Sequence, residues 1–253
     1  MQAVWNWFAW LHQQTGINLS IFYDPFDRER FGKGFLTTVE LAVACIALSL
    51  VIGVFGAWLQ GSKLKLPRRI VYWYIQFFRN TPPLVQLYFF YFGIGALLRL
   101  PGPNGIARPV VSNIAWAIIS LSFYAGAFNV EIFRAGIEAV PRATIEAAEA
   151  LGFSRLAAYR HVVLPLAFRI SLPALNNNLV NLVKATTLAY AISVPELLWV
   201  SNQIWSDELN VTAMMNVLLI VYVGLVGILV FVMHRWEYAM RVPGFGAVAA
   251  PRP

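Results

Sequence analysis

An all-α integral membrane protein with five transmembrane helices is the fold class this sequence predicts, and three observations carry it. Hydrophobic residues make up 59% of the 253 and charged residues only 12%, far from the balance of a water-soluble domain. Several apolar runs exceed ~18 residues with no charge near the centre, the length needed to cross ~30 Å of hydrocarbon. The net charge of +7 lies mostly in short loops beside those runs, where Lys and Arg set membrane orientation. That distribution points to a lipid bilayer as the partner and away from nucleic acid.

Taken in order, residues 1–23 carry Trp5, Trp7, Phe8, Trp10 and Leu11 ahead of a polar stretch, and read as an aromatic segment at the membrane–water interface. Asp24 to Gly34 reads as a charged loop. The first span is expected over about Phe35 to Leu59, with Glu40 near its start and the small residues Gly53, Gly56 and Ala57 toward its end. Ile70 to Phe78 is amphipathic or interfacial and is broken at Arg79-Asn80-Thr81-Pro82-Pro83. A second span follows over about Leu84 to Leu98, its prolines tolerated at a helix start where the amide donors lack intrahelical partners anyway. Pro101 to Pro109 is turn-rich, and the third span covers about Val110 to Phe133. Arg134 to Arg169 forms a long basic loop. The fourth apolar segment, about Ile170 to Val194, is the most polar, holding Asn176, Asn177, Asn178, Asn181 and Lys184. The last span runs over about Thr212 to Trp236, and residues 242–253 form a flexible Pro/Gly/Ala tail.

Basic residues fix the orientation. Lys63, Lys65, Arg68 and Arg69 follow the first span; Arg134, Arg142, Arg155, Arg160 and Arg169 lie in the long loop; Arg235, Arg241 and Arg252 lie in or beside the tail. The alternate loops hold only Arg99 and Arg108, or none. Five spans then place the N-terminus outside, in the periplasm, and the long loop and C-terminus in the cytoplasm. Arg28, Arg30 and Lys33 run against that asymmetry. No positively charged leader precedes the first apolar stretch, so no cleavable signal peptide is expected. Cys45 is the sole cysteine, which excludes an intrachain disulfide, and His12, His161 and His234 have no metal-ligand spacing. No catalytic constellation and no metal site emerges.

Within the long loop, Ala143 to Leu151 is rich in helix formers, Pro141 suits a first turn, and Gly152 suits a left-handed C-terminal cap. Ser154 can cap a second helix that Leu164-Pro165 would end. A folded element in such a loop is a docking surface in the making. Ala147 and Ala148 would let another protein approach closely. The pattern Glu146-Ala147-Ala148, Gly152, Val162, Leu164-Pro165 resembles the cytoplasmic loop of bacterial ABC importer permeases, with Val162 where isoleucine is usual.

Other stretches narrow the resemblance. Phe78 to Gln86 resembles a Phe-Arg-Gly-Thr-Pro-Leu-Leu-Val-Gln stretch, departing at Asn80 and Pro83, and Val130 to Ile137 resembles Ala-Glu-Ile-Phe-Arg-Gly-Gly-Ile. Leu182 to Leu188 resembles Leu-Leu-Lys-Asp-Thr-Ser-Leu, with Ala185 in place of the aspartate. Over residues 34–241 the chain is similar to the membrane subunits of the polar amino acid uptake family, which contains the histidine, glutamine and arginine permeases. The resemblance implies a type I ABC importer permease fold, with residues 1–33 as a periplasmic or interfacial segment and 34–241 as the transmembrane domain. It implies two permease subunits (copies or paralogues), two ABC ATPase subunits and a periplasmic amino-acid-binding protein, in the bacterial cytoplasmic (inner) membrane. The sequence has no Gly-x-x-x-x-Gly-Lys-Ser/Thr phosphate loop, so ATP and Mg are expected on the partner ATPase and no cofactor on this chain.

The expected ATPase-coupling residues are therefore Glu146, Ala147, Ala148, Gly152, Leu164 and Pro165. Polar groups inside spans cost ~2.5–3.5 kcal/mol when ionised, so each requires a reason. Asn177, Asn181 and Lys184 recur at helical spacing and share a face, expected to line a substrate pathway or a dimer interface. Asn129, Glu131 and Glu40 are further pathway candidates, although Glu131 and Arg134 are spaced as a structural ion pair. A permease for another small solute, such as an opine or amine, is the alternative function; a stand-alone channel or secondary transporter is the competing class, disfavoured because no repeated halves are visible.

Overall fold

In the computed structural model, which describes residues 2–101 and 107–240, the chain is helical apart from one short ribbon. Its helices are α1 (Gln2–Thr15), α2 (Ser20–Tyr23), α3 (Pro25–Gln60), α4 (Lys65–Asn80), α5 (Pro83–Tyr88), α6 (Gly95–Leu97), α7 (Asn113–Glu138), α8 (Arg142–Ala150), α9 (Arg155–Ala158), α10 (Leu164–Ala185), α11 (Leu197–Glu208) and α12 (Val211–Ala239). Two strands, β1 (Arg99–Pro101) and β2 (Ala107–Pro109), pair antiparallel with Leu100 opposite Arg108 where a turn-rich loop was expected. The expected tail over 242–253 lies outside the described residues.

Among the described residues three helices, α3, α7 and α12, are long and apolar enough to cross a membrane, and the run Pro83–Leu97 is a shorter apolar helix. Helix α10 spans about 33 Å at 1.5 Å per residue, but its asparagines and Lys184 hold it below that hydropathy.

The charged segment Asp24–Gly34 is not a loop. Asp24 Oδ1 accepts the Phe26 amide at 2.9 Å and Pro25 occupies the first helical position, so α3 starts there. Asp27–Arg30 and Glu29–Lys33 then pair along its first turns at 3.4 and 2.6 Å. The break at Arg79–Pro83 does occur. Thr81 and Pro82 are extended, as residues preceding proline must be, and Pro83 opens α5. A wide π-helical turn at Phe89–Ile94 joins α5 to α6.

The contacts divide the chain into two units. One comprises Met1–Cys45, Pro82–Leu121 and Leu182–Gly227. Its main core packs Leu41, Leu87, Trp116, Ala117, Ala189, Ile192 and Val194. A second cluster sets Ile21 against Val200, Ile204 and Met214. The N-terminal segment belongs to this cluster: Phe8 stacks on Phe22 at 4.4 Å, Asn18 Nδ2 donates to Glu208 at 3.0 Å, and Asn210 Nδ2 donates to the Asn18 carbonyl at 3.1 Å. Trp7 and Trp10 remain exposed on α1.

The other unit comprises Ile46–Thr81, Ser122–Asn181 and Ile228–Pro253. Here α3 and α7 cross closely, because a Cβ at Gly53 would collide with Asn129 and one at Gly56 with Val130. Val71 and Ile75 of α4 pack on Ala57 and Val130. The amphipathic character expected for Ile70–Phe78 holds, with Val71, Ile75 and Phe78 buried, Tyr74 and Gln76 half-buried and Ile70, Tyr72, Trp73 and Phe77 exposed. Tyr74 adds a hydrogen bond to the Phe123 carbonyl at 2.6 Å.

Candidate functional site

The loop between α7 and α10 folds into a fixed helix–turn–helix. Val140, Val163 and Ala167 form its buried base, with Ile137, Ile145, Leu166 and Ile170 packed around them. Pro141, extended, is the residue before the first helical position rather than within the first turn, and α8 follows it. Gly152 takes φ +89°, the left-handed conformation that favours glycine. The Gly152 amide then donates to the Glu149 carbonyl at 3.0 Å and the Phe153 amide to the Ala148 carbonyl at 3.1 Å, which closes α8 in a Schellman motif. No atom lies within 4 Å of a Cβ added at Gly152, so the backbone angle and not space demands glycine there. Ser154 caps α9, its Oγ accepting the Ala157 amide at 3.3 Å.

Pro165 does not end the second helix. A π-turn over Tyr159–Val163 carries α9 into α10, with the Leu164 amide donating to the Tyr159 carbonyl five residues back. The wide turn shifts the hydrogen-bond register at the residue before proline, where a donor goes missing, and the helix continues to Ala185.

Glu146 and Ala147 lie on the open face of α8, whereas Ala148 is buried and lets α8 approach its own chain. Leu164 and Pro165 are exposed. Sequence reasoning missed the most conspicuous part of this surface: Leu151 and Leu156 project around the turn, 80% and 77% exposed, with Phe153 exposed between them. Two leucines flanking a capping glycine were the available signal.

Asn177, Asn181 and Lys184 are all exposed, forming a polar stripe on α10 with Pro173 and Ala174 one turn before it. Asn129 stands apart from that stripe and is fully buried. Its Oδ1 accepts from Asn178 Nδ2 at 2.7 Å and its Nδ2 donates to Ser49 Oγ at 3.2 Å, while Asn178 also donates to the Ala125 carbonyl at 3.0 Å. Every member of this chain finds a partner, so it braces α3, α7 and α10 within one unit. Arg134 grips Glu131 through Nε and Nη2 at 3.2 and 3.0 Å and reaches Glu138 at 2.8 Å; Arg79 adds a contact to Glu131 at 3.6 Å. The ion pair expected from the Glu131–Arg134 spacing is thus present. Glu40 is exposed on α3, among the exposed apolar side chains Leu36 and Val43.

Between the fourth and last expected spans lies α11, a helix no local pattern announces, and Glu196 is fully buried at its start. It accepts the Leu198 and Trp199 amides at 2.9 and 2.8 Å and the Tyr222 hydroxyl at 2.9 Å, while Thr38 Oγ1 accepts the Leu197 amide at 2.9 Å. Burial pushes this carboxyl above the usual carboxylate range, against the pull of its three donors.

Residues 49–237 match the family described as binding-protein-dependent transport system inner membrane component. The chain is 30% identical over 211 residues to the histidine/lysine/arginine/ornithine transport system permease protein HisM of Salmonella typhimurium, a match covering 83% of this chain and 89% of HisM. It is 32% identical over 170 residues to the nopaline transport system permease protein NocM of Agrobacterium fabrum, covering 67% and 70% of the two chains. Its fold is similar to a chain in a crystal structure of an amino acid ABC transporter with histidines, with a TM-score of 0.74 and 25% identity over 84% of this chain and 94% of the other. A helical chain with several apolar spans, the folded loop between α7 and α10 and a match covering most of the sequence lead to one conclusion: the chain belongs to the family of binding-protein-dependent transport system inner membrane components, as a multi-pass ABC permease subunit of the inner membrane.

Proposed function

We propose that this chain is the permease of an importer for a polar or charged amino acid, driven by a separate ABC ATPase docked on residues 142–165. The family match together with the Schellman-closed turn at Gly152 carries the reading. A helix pair with a buried apolar base and an exposed apolar tip has the form of a lever, and nothing in it suggests chemistry. ATP and Mg belong to the ATPase, and a binding protein delivers the solute from outside. Five spans, counting the Pro83–Leu97 run and α10 beside α3, α7 and α12, put the N-terminus in the periplasm and the coupling segment in the cytoplasm. Residues 1–33 precede the transmembrane core of 34–241 and are held through Asn18 to Glu208 at the end of α11 and to Asn210, and 242–253 are assigned to the cytoplasmic side.

Transport then runs by alternating access. Closure of the ATPase pair pushes on α8, and the spans rock so that the solute site faces outward and then inward. The exposed stripe of Asn177, Asn181 and Lys184 faces either that pathway or the second permease subunit, since lipid would be a poor neighbour for it. Glu40, exposed on α3, is a further pathway candidate. Asn129 and Glu131, already paired inside the chain, support the pathway from behind. The second permease subunit is a copy or a paralogue.

A second reading, transport of an opine, is favoured by the similarity to the nopaline permease. The test is uptake by proteoliposomes holding the whole importer and its binding protein, with labelled arginine, histidine, glutamine and nopaline competing. ATP-dependent uptake of one of the amino acids supports the proposal. Uptake confined to nopaline supports the second reading, and uptake without ATP contradicts both.

A further inference from the structure

Helix α4 presents three faces at helical spacing. Val71, Ile75 and Phe78 are buried in the fold. Leu66, Ile70, Trp73 and Phe77 form an exposed apolar stripe, 70, 61, 60 and 49% accessible. Lys65, Arg68, Arg69, Tyr72 and Gln76 line a groove of about 720 Å³, whose far side is Gln60, Glu131, Arg134 and Glu138.

The charges in that groove do not cancel. Arg134 holds Glu131 and Glu138 at 3.0 and 2.8 Å and Arg79 adds a contact to Glu131 at 3.6 Å, so these two cations balance the two carboxylates. Lys65, Arg68 and Arg69 form no ion pair among the described residues. Three uncompensated cations thus lie beside a stripe of Leu, Ile, Trp and Phe on the same helix. Water satisfies the cations and not the apolar stripe, while a protein anion would leave that stripe uncovered. An anionic phospholipid fits both, with its phosphate in the groove and an acyl chain along the stripe.

We propose that the groove along α4 is a binding site for the phosphate headgroup of an anionic phospholipid, with Lys65, Arg68 and Arg69 as its ligands. The proposal rests on the orientation given under the proposed function, which puts this end of α4 at the cytoplasmic surface. The site tethers the helix that leads into the Arg79–Pro83 break, so lipid charge and the packing of α4 on α3 and α7 become linked.

The test is native mass spectrometry of the detergent-purified importer with phosphatidylglycerol, phosphatidylcholine or inorganic phosphate added. Retention of phosphatidylglycerol over phosphatidylcholine by roughly tenfold or more is expected, abolished in K65Q/R68Q/R69Q and kept in R99Q/R108Q. Arg69→Gln alone, expected to lower retention severalfold, serves if the triple variant does not fold. Equal retention of both lipids, or undiminished retention in the variants, overturns the proposal. So does displacement of the lipid by inorganic phosphate at equal concentration, which marks a free-anion site. Loss of every lipid once the ATPase subunits are bound also overturns it, because protein then covers the face. Labelling of Ser62→Cys, in a Cys45→Ala background, by an impermeant thiol reagent reports the orientation separately. Labelling from outside removes the topology, whereas lost lipid selectivity with labelling only from inside removes the site alone.

Discussion

Glu196 accepts three hydrogen bonds in a site without solvent, and its removal is the most disruptive single change expected at the residue scale. Alanine there would uncap α11 and take away the carboxylate that accepts the Tyr222 hydroxyl, at a cost of roughly 2–4 kcal/mol. Glutamine keeps one acceptor and should cost less. The sign of the pH effect follows from burial, which makes the folded carboxyl hold its proton more tightly than the unfolded one. Stability is greatest below the ordinary carboxylate range and falls as pH rises through the window up to the raised value. Thermal unfolding in detergent should show the wild type losing ground to Glu196→Gln across that window, and parallel profiles would refute it. This residue was illegible in the sequence because glutamate is not a preferred helix cap and α11 follows an irregular turn, with Ser193 at φ 57°. Lys184 was legible, since its spacing from Asn177 and Asn181 already marked one face. Lys184→Met is expected to raise the KM for uptake at least tenfold, and unchanged kinetics would remove it from the solute path.

At the scale of elements, local signals decided what could be read. The helix, glycine stop and capped second helix of residues 142–158 were legible, because Gly152 and Ser154 act through their own backbone neighbourhood. Pro165 misled for the opposite reason. Its missing donor is absorbed by a π-turn, and proline alone does not announce one. The charged start of α3 is hidden from a count of apolar length, because an aspartate cap, a proline and two ion pairs begin the helix before the apolar run does. The exposed leucines at the tip lead to a further expectation. Leu151→Ser with Leu156→Ser should weaken association with the ATPase at least tenfold, read by co-purification, while leaving insertion and the α8–α10 base intact. Undiminished association would mean that the ATPase docks elsewhere.

For the whole molecule, the helical membrane class followed from composition, yet the number of spans is less plain than the count of five. Three helices pass on length and hydropathy alone. Helix α10 fails because it carries the Asn and Lys side chains that make it a candidate pathway element, and Pro83–Leu97 is short because the Arg79–Pro83 break cuts it from α4. Both departures from an ideal span fall where the chain carries polar groups, and those groups blur the very pattern used to find spans. The N-terminal segment, outside the family resemblance, is held by Asn18 to Glu208 and Asn210, contacts between residues nearly two hundred positions apart that no local pattern announces.

If residues 142–165 transmit work from a separate ATPase to the spans, ATP hydrolysis and uptake stay in step only while the turn at Gly152 keeps its shape. That coupling is read as the number of ATP molecules hydrolysed per solute molecule imported, in proteoliposomes holding the complete importer, for wild type and Gly152→Val. Valine cannot adopt the left-handed turn without strain, so the ratio should rise at least tenfold while the variant stays inserted and the ATPase remains active. A ratio equal to that of the wild type, in a variant shown to fold and assemble, would contradict the account.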